Sequence, residues 1–315
     1  MSQSPLTADR NLGRPSREFV LDTDIGTDVD DLLALSMIFG SPELDVVGVA
    51  TVYGDVGLRA RIVAATYHAA GLTPPPIAAG NAETQSGRPV WWPGHEGSTI
   101  ADLDGHVFDS ALSAIDLLGA SATVVAIGPL TNAAAVTRQP GHRVSQVVIM
   151  GGDFRREIVE HNIKCDIDAA RSLFASGVPV LAVGLEQTER VRLGSDVLAR
   201  IGAAGPLGAM VAAEMTRFWA FAEQDYNVPH DPIAVLTLAR PDLFEIAAGT
   251  VTVTPEGRTL FEPDPDGLHS IVTDMDVDAV GTAIVDRILA AADASTETAS
   301  IDTTVGPRAS ASTPT

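Results

Sequence analysis

Five aspartates fall within the stretch LDTDIGTDVDD, residues 21–31. Apolar residues before it predict a strand and leucine-rich residues after it predict a helix, so the carboxylates lie where a strand meets a helix. Helix capping accounts for Asp30 or Asp31. It does not account for Asp24 and Asp28 as well, because neighbouring carboxylates raise each other's pKa and resist joint burial. A hard cation with oxygen ligands, such as calcium or magnesium, would remove this conflict, and the spacing favours a metal site.

Other polar loops follow later apolar runs of the chain. They are VYGD (52–55), IGPLTN (127–132), MGGD (150–153), EHNIKCD (160–166) and HDP (230–232). In an open parallel sheet the ligand binds beyond the carboxyl ends of the strands. We therefore expect several of these loops to meet the aspartates at one rim.

The elements that position these loops alternate between strand and helix along the chain. Predicted strands before residue 190 are 19–21, 44–52, 77–79, 123–127, 144–150 and 179–183, with helices between them. Helices dominate 195–240, the runs 246–254 and 269–273 read as late edge strands, and 277–291 reads as a closing helix. This alternation predicts a single α/β domain, a mostly parallel doubly wound sheet with helices on both faces.

The two ends of the chain are polar and of low complexity. The sequence predicts a flexible leader over 1–17, the α/β domain over 18–292 and a disordered tail over 293–315. The leader has no apolar core of the signal-peptide kind, and no apolar run is long enough to cross a membrane.

Composition excludes several classes of function. A net charge of −21 argues against nucleic acid or an anionic membrane as partner. The one lysine, Lys164, follows Ile163, so no Gly-Lys-Ser/Thr phosphate loop exists, and a dinucleotide-binding G-x-G-x-x-G after a strand is also missing. Cys165 is the only cysteine, so no disulfide can form within the chain, and a reducing cytoplasm is expected.

Aromatic residues occur in two places that bear on a binding site. The Gly/Pro-rich segment 80–108 reads as a long functional loop, in which Trp91 and Trp92 either cover the site or rest on the protein edge. Three further aromatics, Phe218, Trp219 and Phe221, stand at helical spacing, and we interpret them as core rather than as a stacking surface for a base, although one of them can serve as both.

Taken in order, the motifs resemble those of the inosine-uridine-preferring nucleoside hydrolase family. The matches are DTDIGTDVDD, YGD, GPLTN, MGG, EHN and HD, spanning residues 22 to 231. The resemblance implies a calcium ion held by Asp24, Asp31, the backbone carbonyl of Thr131 and Asp231. It further implies ribose ligands at Asp30, Glu160 and Asn162, Met150 beside the sugar, and His230 on the leaving-group side.

The chain departs from the family pattern at several positions. Two more residues lie between the first aspartate pair and the second than in the common family form, and Ile25 replaces the usual Pro, so the resemblance assigns no role to Asp28. Asp55 stands where the family has Asn, and we expect it to accept a hydrogen bond from a ribose hydroxyl. His161 stands between Glu160 and Asn162 where an aromatic residue is usual, and the segment between MGG and EHN is short.

Elementary chemistry agrees with the reaction that the resemblance implies. Cleavage of a ribosyl C–N bond passes through an oxocarbenium-like state, so the site needs negative charge near the sugar, an activated water and a proton for the base. Calcium accepts 6–8 oxygens in flexible geometry, and a carboxylate such as Asp24 would take the proton from water. The predicted function is a calcium-dependent N-ribohydrolase that cleaves a ribonucleoside to base and ribose.

Two other functions remain open at the level of sequence. One is a magnesium-dependent phosphatase, whose strand also ends in D-x-D but which expects Thr or Val where Gly26 stands. The other is a non-catalytic calcium-dependent nucleoside or sugar-binding relative, which would have no need for both a base at Asp24 and an acid at His230. For the hydrolase we expect a small-molecule nucleoside as substrate and a homodimer or homotetramer.

One pair of arginines raises the question of a phosphorylated substrate. Arg155 and Arg156 lie close in sequence to Glu160, and arginine pairs bind phosphate well. We favour the simpler interpretation of a solvated charge run, and predict an unphosphorylated ribonucleoside.

Overall fold

The computed structural model describes residues 17–302, with side chains described for residues 17–296. The strands alternate with helices through the first six strands and then turn antiparallel. The strands are β1 (Arg17–Thr23), β2 (Leu44–Thr51), β3 (Ile77–Ala79), β4 (Thr123–Ala126), β5 (Gln146–Met150), β6 (Val180–Val183), β7 (Phe244–Val253), β8 (Thr259–Pro263) and β9 (His269–Met275).

All nine strands belong to one sheet with the order β3-β2-β1-β4-β5-β6-β9-β7-β8. The first six strands and β9 are parallel, whereas β7 runs antiparallel to both of its neighbours. The chain leaves β1 outward to β2 and β3 and returns to β4 on the other side of β1. The order therefore reverses beside β1, where an open α/β sheet forms a crevice for ligands.

Helices cover both faces of the sheet, as the alternation predicts. They are α1 (Asp30–Phe39), α2 (Val56–Ala69), α3 (Ala114–Gly119), α4 (Thr131–Thr137), α5 (His161–Cys165), α6 (Ile167–Phe174), α7 (Leu185–Thr188), α8 (Ser195–Gly202), α9 (Gly205–Ala222), α10 (His230–Ala239) and α11 (Val277–Asp302). Short 3-10 turns occupy Leu103–Gly105 and Pro241–Leu243. The predicted single-domain α/β fold is confirmed.

Successive residues of β1 explain why both faces must be covered. Phe19 and Leu21 belong to the apolar core shared with α1, α9, α10 and α11, whereas Val20 between them belongs to the core shared with α3, α4 and α6. Side chains alternate across a strand, and all three are at most 1% exposed. A strand that is apolar at every position, rather than at every second one, is typical of a parallel sheet buried between two helical layers.

The prediction of two edge strands late in the chain is wrong. Strand β9 lies inside the sheet between β6 and β7, and β7 is also internal. The edge is β8, a short strand that we did not predict, which pairs with β7 from Gly249↔Pro263 to Val253↔Thr259. Gly257 with φ +97° lies in the turn that joins them. Because β8 pairs with the side of β7 that faces away from β9, β7 is an internal strand and β8 is the edge strand.

The ends of the domain differ from the predicted boundaries. Helix α11 continues to Asp302, so residues 293–302 are helical where the sequence predicts a disordered tail. Ala291 and Ala292 are buried at the predicted end of the domain, and Ser295, three residues beyond it, is buried as well. Arg17, the last residue of the predicted leader, begins β1, while residues 1–16 and 303–315 lie outside the described range.

No helix within residues 17–302 combines the length and the apolar character needed to cross a membrane.

Candidate active site

A cavity of about 280 Å³ lies at the carboxyl ends of β1, β4 and β5. Eight residues singled out in the sequence line it, namely Asp24, Asp30, Asp31, Met150, Glu160, Asn162, His230 and Asp231. The other lining residues are Thr27, Asp28, Trp91, Ile127, His161, Leu185, Phe218 and Phe221. Residues that are up to 207 positions apart in the chain therefore meet at one rim, as expected from the strand ends.

The turn between β1 and α1 presents the aspartates to this cavity. Gly26 has φ +116°, and a Cβ there would lie 2.7 Å from the side chain of Ile62, so this turn requires glycine. Asp30 and Asp31 form the first turn of α1, where the helix dipole favours negative charge. The backbone N–H of Val29 donates to the Asp28 carboxylate at 2.5 Å.

A buried arginine donates hydrogen bonds to the backbone of this turn. Arg59 of α2 is fully buried. Its guanidinium donates to the backbone carbonyls of Asp24, Ile25 and Tyr53. It also lies 4.8 Å from the ring of Trp92. Arg59 was not predicted as a site residue, because α2 also contains Arg61 and the sequence does not indicate which of the two arginines is buried. Its charge offsets part of the carboxylate charge above it.

Asp30, Asp31 and Asp231 form a buried carboxylate cluster. One oxygen from each of the three lies within 4.8 Å of the others, and the residues are 7%, 4% and 2% exposed. Burial raises the pKa of all three carboxyl groups well above the ordinary value, and mutual repulsion raises it further. Three buried carboxylates without a cationic side chain among them fit a hard divalent cation, which prefers such oxygen donors.

Asp24 lies in the wall of the same cavity but outside this cluster. Burial raises the pKa of its carboxyl group, and the positive charge of Arg59 opposes that rise. The cluster thus contains Asp30, for which the resemblance implies a ribose contact, and omits Asp24, for which it implies a metal contact. Both carboxylates face the cavity.

Glu160 and Asn162 form the polar wall that follows β5. The Glu160 carboxylate accepts hydrogen bonds from the backbone N–H groups of Gly152, Asn162 and Ile163 at 2.8–3.1 Å. Burial raises its pKa, and these three hydrogen bonds oppose the rise. The Asn162 amide donates to the carbonyls of Ile127 and Met150 at 3.0 and 3.2 Å. Both side chains are therefore fixed before any ligand binds.

His230 begins α10 directly before Asp231. Its Nδ1 lies 2.6 Å from the hydroxyl of Thr188 in α7. Burial lowers the pKa of the imidazole to about 4, so the neutral ring predominates at pH 7. The protonated form is a correspondingly strong acid, but it is scarce.

The structure does not bring Thr131 to the cavity. Its carbonyl accepts a hydrogen bond from the Gln85 amide at 3.1 Å, and its hydroxyl donates to Asp166 at 2.7 Å. β4 ends at Ala126, so Ile127 stands at the strand end and lines the cavity, whereas Thr131 already begins α4. The cavity lining therefore includes Ile127 and not Thr131, and the metal contact of Thr131 stays a prediction.

Asp55 also lies outside the cavity. The side chain is exposed, and it accepts the backbone N–H of Leu58 at 2.8 Å as the N-cap of α2. Tyr53 and Gly54 before it have φ of 69° and 79°, and this left-handed pair turns the chain away from the strand axis. In this structure Asp55 satisfies a helix N-terminus, and its expected ribose contact stays a prediction.

An aromatic wall faces the carboxylates across the cavity. Trp91, from the long loop, packs edge-on to His161 at 5.5 Å and lies 6.4 Å from Phe221 of α9. Phe218 lies 6.3 Å from Phe221 in the same helix. The interpretation as core is wrong for Phe221, which is 46% exposed. Phe218 packs on the core and also lines the cavity, so it is the residue that can serve as both.

The two tryptophans of the loop have different positions. Trp91 is 48% exposed and lines the cavity, whereas Trp92 stacks on Arg59 and contacts Gly54. Neither Arg155 nor Arg156 lines the cavity. Arg156 pairs with Asp153 and Glu189 at 2.6 and 2.7 Å, and Arg155 donates to the carbonyl of Thr273. These contacts remove the basis for a 5′-phosphate site at the two arginines.

Comparison with known proteins shows which family this chain matches. The family model for inosine-uridine preferring nucleoside hydrolases matches residues 19–286. The non-specific ribonucleoside hydrolase RihC of Escherichia coli is 31% identical over 260 residues, covering 76% of this chain and 84% of the relative. Uridine nucleosidase 1 of Arabidopsis thaliana is 29% identical over 272 residues, covering 76% and 79%. The structure of a purine-preferring ribonucleoside hydrolase from Gardnerella vaginalis superposes with a TM-score of 0.74 at 26% identity, covering 88% and 99%.

The proteins that share this α/β sheet are nucleoside hydrolases. Nucleoside hydrolases are enzymes that cleave the N-glycosidic bond of ribonucleosides. The chain belongs to the inosine-uridine preferring nucleoside hydrolase family. Membership of this family favours the hydrolase over the magnesium-dependent phosphatase and the non-catalytic binding protein, the two other functions that the sequence left open.

Proposed function

We propose that this nucleoside hydrolase is a calcium-dependent N-ribohydrolase acting on an unphosphorylated ribonucleoside. The observation that carries the proposal is the three-carboxylate cluster of Asp30, Asp31 and Asp231, buried beside a further carboxylate at Asp24. When bound, calcium supplies positive charge that orients ribose hydroxyls and a water and makes that water more acidic.

The residues that would hold the ion come from three loops. Asp30, Asp31 and Asp231 form the carboxylate cluster. Asp24 is the fourth carboxylate of the proposed set. Its proposed backbone oxygen is the carbonyl of Ile127, which lines the cavity and also accepts the Asn162 amide, whereas Thr131 does not line the cavity. This donor set is made of oxygens only, which suits calcium or magnesium and not a thiolate-seeking or imidazole-seeking metal.

Asp24 is the proposed general base. Its carboxylate faces the cavity beside the cluster, and removal of a proton from water there leaves hydroxide to attack C1′ of the sugar. Negative charge from the remaining carboxylates stabilises the positive charge that develops on the ribose ring as the C1′–N bond lengthens.

Glu160, Asn162, Asp30 and Met150 are the proposed ribose contacts. Glu160 and Asn162 are fixed by backbone hydrogen bonds, so the energetic cost of ordering them is paid at folding and not at binding. Asp28 lines the same cavity as an additional carboxylate.

The aromatic wall of Trp91, His161, Phe218 and Phe221 is the proposed surface for the nucleobase. Flat apolar side chains suit a planar heterocycle, and the wall lies across the cavity from the carboxylates. His230 is the proposed donor of a proton to the departing base. The cytoplasmic location, for which the single cysteine is the support, and the homodimer or homotetramer stay predictions.

A panel of purine and pyrimidine nucleosides, each with its 5′-monophosphate, would test the proposal by release of free ribose or ribose 5-phosphate. We expect nucleosides to be hydrolysed with a higher kcat/KM than their monophosphates. Chelation should abolish this turnover, and calcium should restore it better than magnesium. Full activity of chelated, metal-free protein would contradict the metal dependence.

A further inference from the structure

His161 is the position at which this chain departs from an aromatic residue, and the structure gives it an unusual location. It lies between Glu160 and Asn162, whose side chains are both locked by backbone hydrogen bonds. The locked neighbours fix the backbone of His161 at the cavity rim. Its own side chain is exposed, unlike those of Glu160 and Asn162.

The imidazole lies where the two walls of the cavity meet. On one side are the proposed ribose residues Glu160 and Asn162, and on the other is the ring of Trp91, 5.5 Å away and edge-on at 75°. A nucleoside with its sugar at the carboxylates and its base on the aromatic wall would have its C1′–N bond near this junction. This placement of the C1′–N bond beside His161 rests on the proposed function.

His161 has few partners that would divert its nitrogen atoms. The one hydrogen-bond contact described for its side chain joins Nε2 to the weakly bonding Cys165 thiol at 3.5 Å, one helical turn away. His95, also near the wall, is engaged with the carbonyl of Thr27 at 2.9 Å. His230 is engaged with Thr188 at 2.6 Å.

We propose that His161 is a further catalytic residue, which donates a proton to the leaving base alongside His230. As the C1′–N bond breaks, its electron pair passes to the base, and the proton of the His161 imidazolium bonds to a ring nitrogen of that base. The water oxygen bonds to C1′ and its proton passes to Asp24. Solvent then returns a proton to His161 and removes one from Asp24, so the sum is nucleoside plus water to ribose plus base.

Ionisable groups surround His161 on two sides. The carboxyl groups of Glu160, directly before it in the chain, and of Asp24, in the lining of the same cavity, both interact electrostatically with the imidazole. Arg88 and Lys164 line the adjoining depression that His161 also borders. The carboxylates lie on the cavity side, where the proton is needed.

Three substitutions separate proton donation from packing. His161→Phe keeps a ring against Trp91 but removes the proton, His161→Ala removes both, and His68→Phe is a control on an exposed histidine of α2 outside the cavity. Each is assayed with the best natural nucleoside of the panel and with p-nitrophenyl riboside, whose phenolate leaves without protonation. Circular dichroism and thermal melting check that each variant is folded.

We expect His161→Phe and His161→Ala to lose about 10²–10⁴-fold in kcat on the natural nucleoside while staying within about threefold on the aryl riboside. Added imidazole should restore part of the activity of His161→Ala and none of that of His161→Phe, in which the ring fills the space. Equal losses on both substrates, no loss on the nucleoside, or no rescue by imidazole would each overturn the role of His161. Failure of the wild-type protein on every nucleoside and on the aryl riboside would instead overturn the proposed function, and the inference with it.

Discussion

The two walls of the cavity differ in how the chain builds them. The carboxylate wall comes from residues at or just beyond the ends of parallel strands and from the start of α10, and most of its members are buried and pre-ordered. The aromatic wall comes from a long loop and from α9, and Trp91 and Phe221 are 48% and 46% exposed. The first wall carries charge and fits the reaction at the sugar, whereas the second is suited to contact the base. Bond cleavage and base preference should therefore respond separately to mutation.

The largest loss is expected at the centre of the carboxylate wall. Asp31→Ala removes one member of the three-carboxylate cluster and the acceptor of the Thr23 hydroxyl, so the proposed ion is held poorly. We expect calcium content to fall from one per chain to nearly none, with a loss of about 10³-fold or more in kcat. Elemental analysis and a ribose assay measure the two effects.

Asp116→Ala provides the control for this substitution, because Asp116 is an exposed aspartate of α3 outside the cavity. It should keep both metal and activity. An Asp31→Ala protein that is fully active with no bound divalent ion would contradict the proposed metal site.

A second test within the same wall concerns the general base. Asp24→Asn preserves the shape of the side chain but cannot accept a proton from water. We expect kcat to fall about 10²–10⁴-fold on a natural nucleoside and by a similar factor on p-nitrophenyl riboside, because every leaving group needs the attacking water. Steady-state kinetics on the two substrates check the result, and a loss confined to the natural nucleoside would reassign Asp24 to the leaving-group side.

The aromatic wall should give a smaller effect of a different kind. Trp91→Ala removes a ring that is free to contact a base, and the loss of one aromatic contact corresponds to about 3- to 10-fold in KM. We expect kcat on the aryl riboside to change little, and the rank order of the nucleosides in the panel to shift. A KM that is unchanged for every nucleoside would show that the base does not rest on Trp91.

The contrast between the walls also explains how far the sequence could predict this site. Carboxylates such as Asp31 and Asp231 lie beside the ends of predicted elements. Because ligands bind beyond the carboxyl ends of parallel strands, the sequence predicts that these carboxylates meet. The proposed contribution of Ile127 is its backbone carbonyl, and no side chain in the sequence indicates such a role. Phe221 lies on a helix whose apolar spacing is the same whether it faces core or cavity, and only tertiary packing decides between them.

Within the sheet, the same limit applies to the late strands. The first six strands were predictable because each contains an apolar run and helices lie between them. Strand β8 has only five residues, with four charged or turn-forming residues directly before it, and its pairing with β7 depends on a turn at Gly257. Strand β8 therefore forms because it pairs with β7 in a hairpin, and its own composition does not predict it.

The smallest effect is expected at Asp55, outside both walls. Since its carboxylate caps α2 and is exposed, it should affect stability and not chemistry. Asp55→Ala should lower the free energy of unfolding by about 1 kcal/mol, and Asp55→Asn by much less, because Asn caps a helix nearly as well. For a chain of this size about 1 kcal/mol corresponds to roughly 2–4 °C in Tm. Calorimetry and nucleoside kinetics on both variants make the test, with kcat and KM expected to stay at wild-type values. A selective rise in KM with an unchanged Tm would instead return Asp55 to the ribose and extend the carboxylate wall to the end of β2.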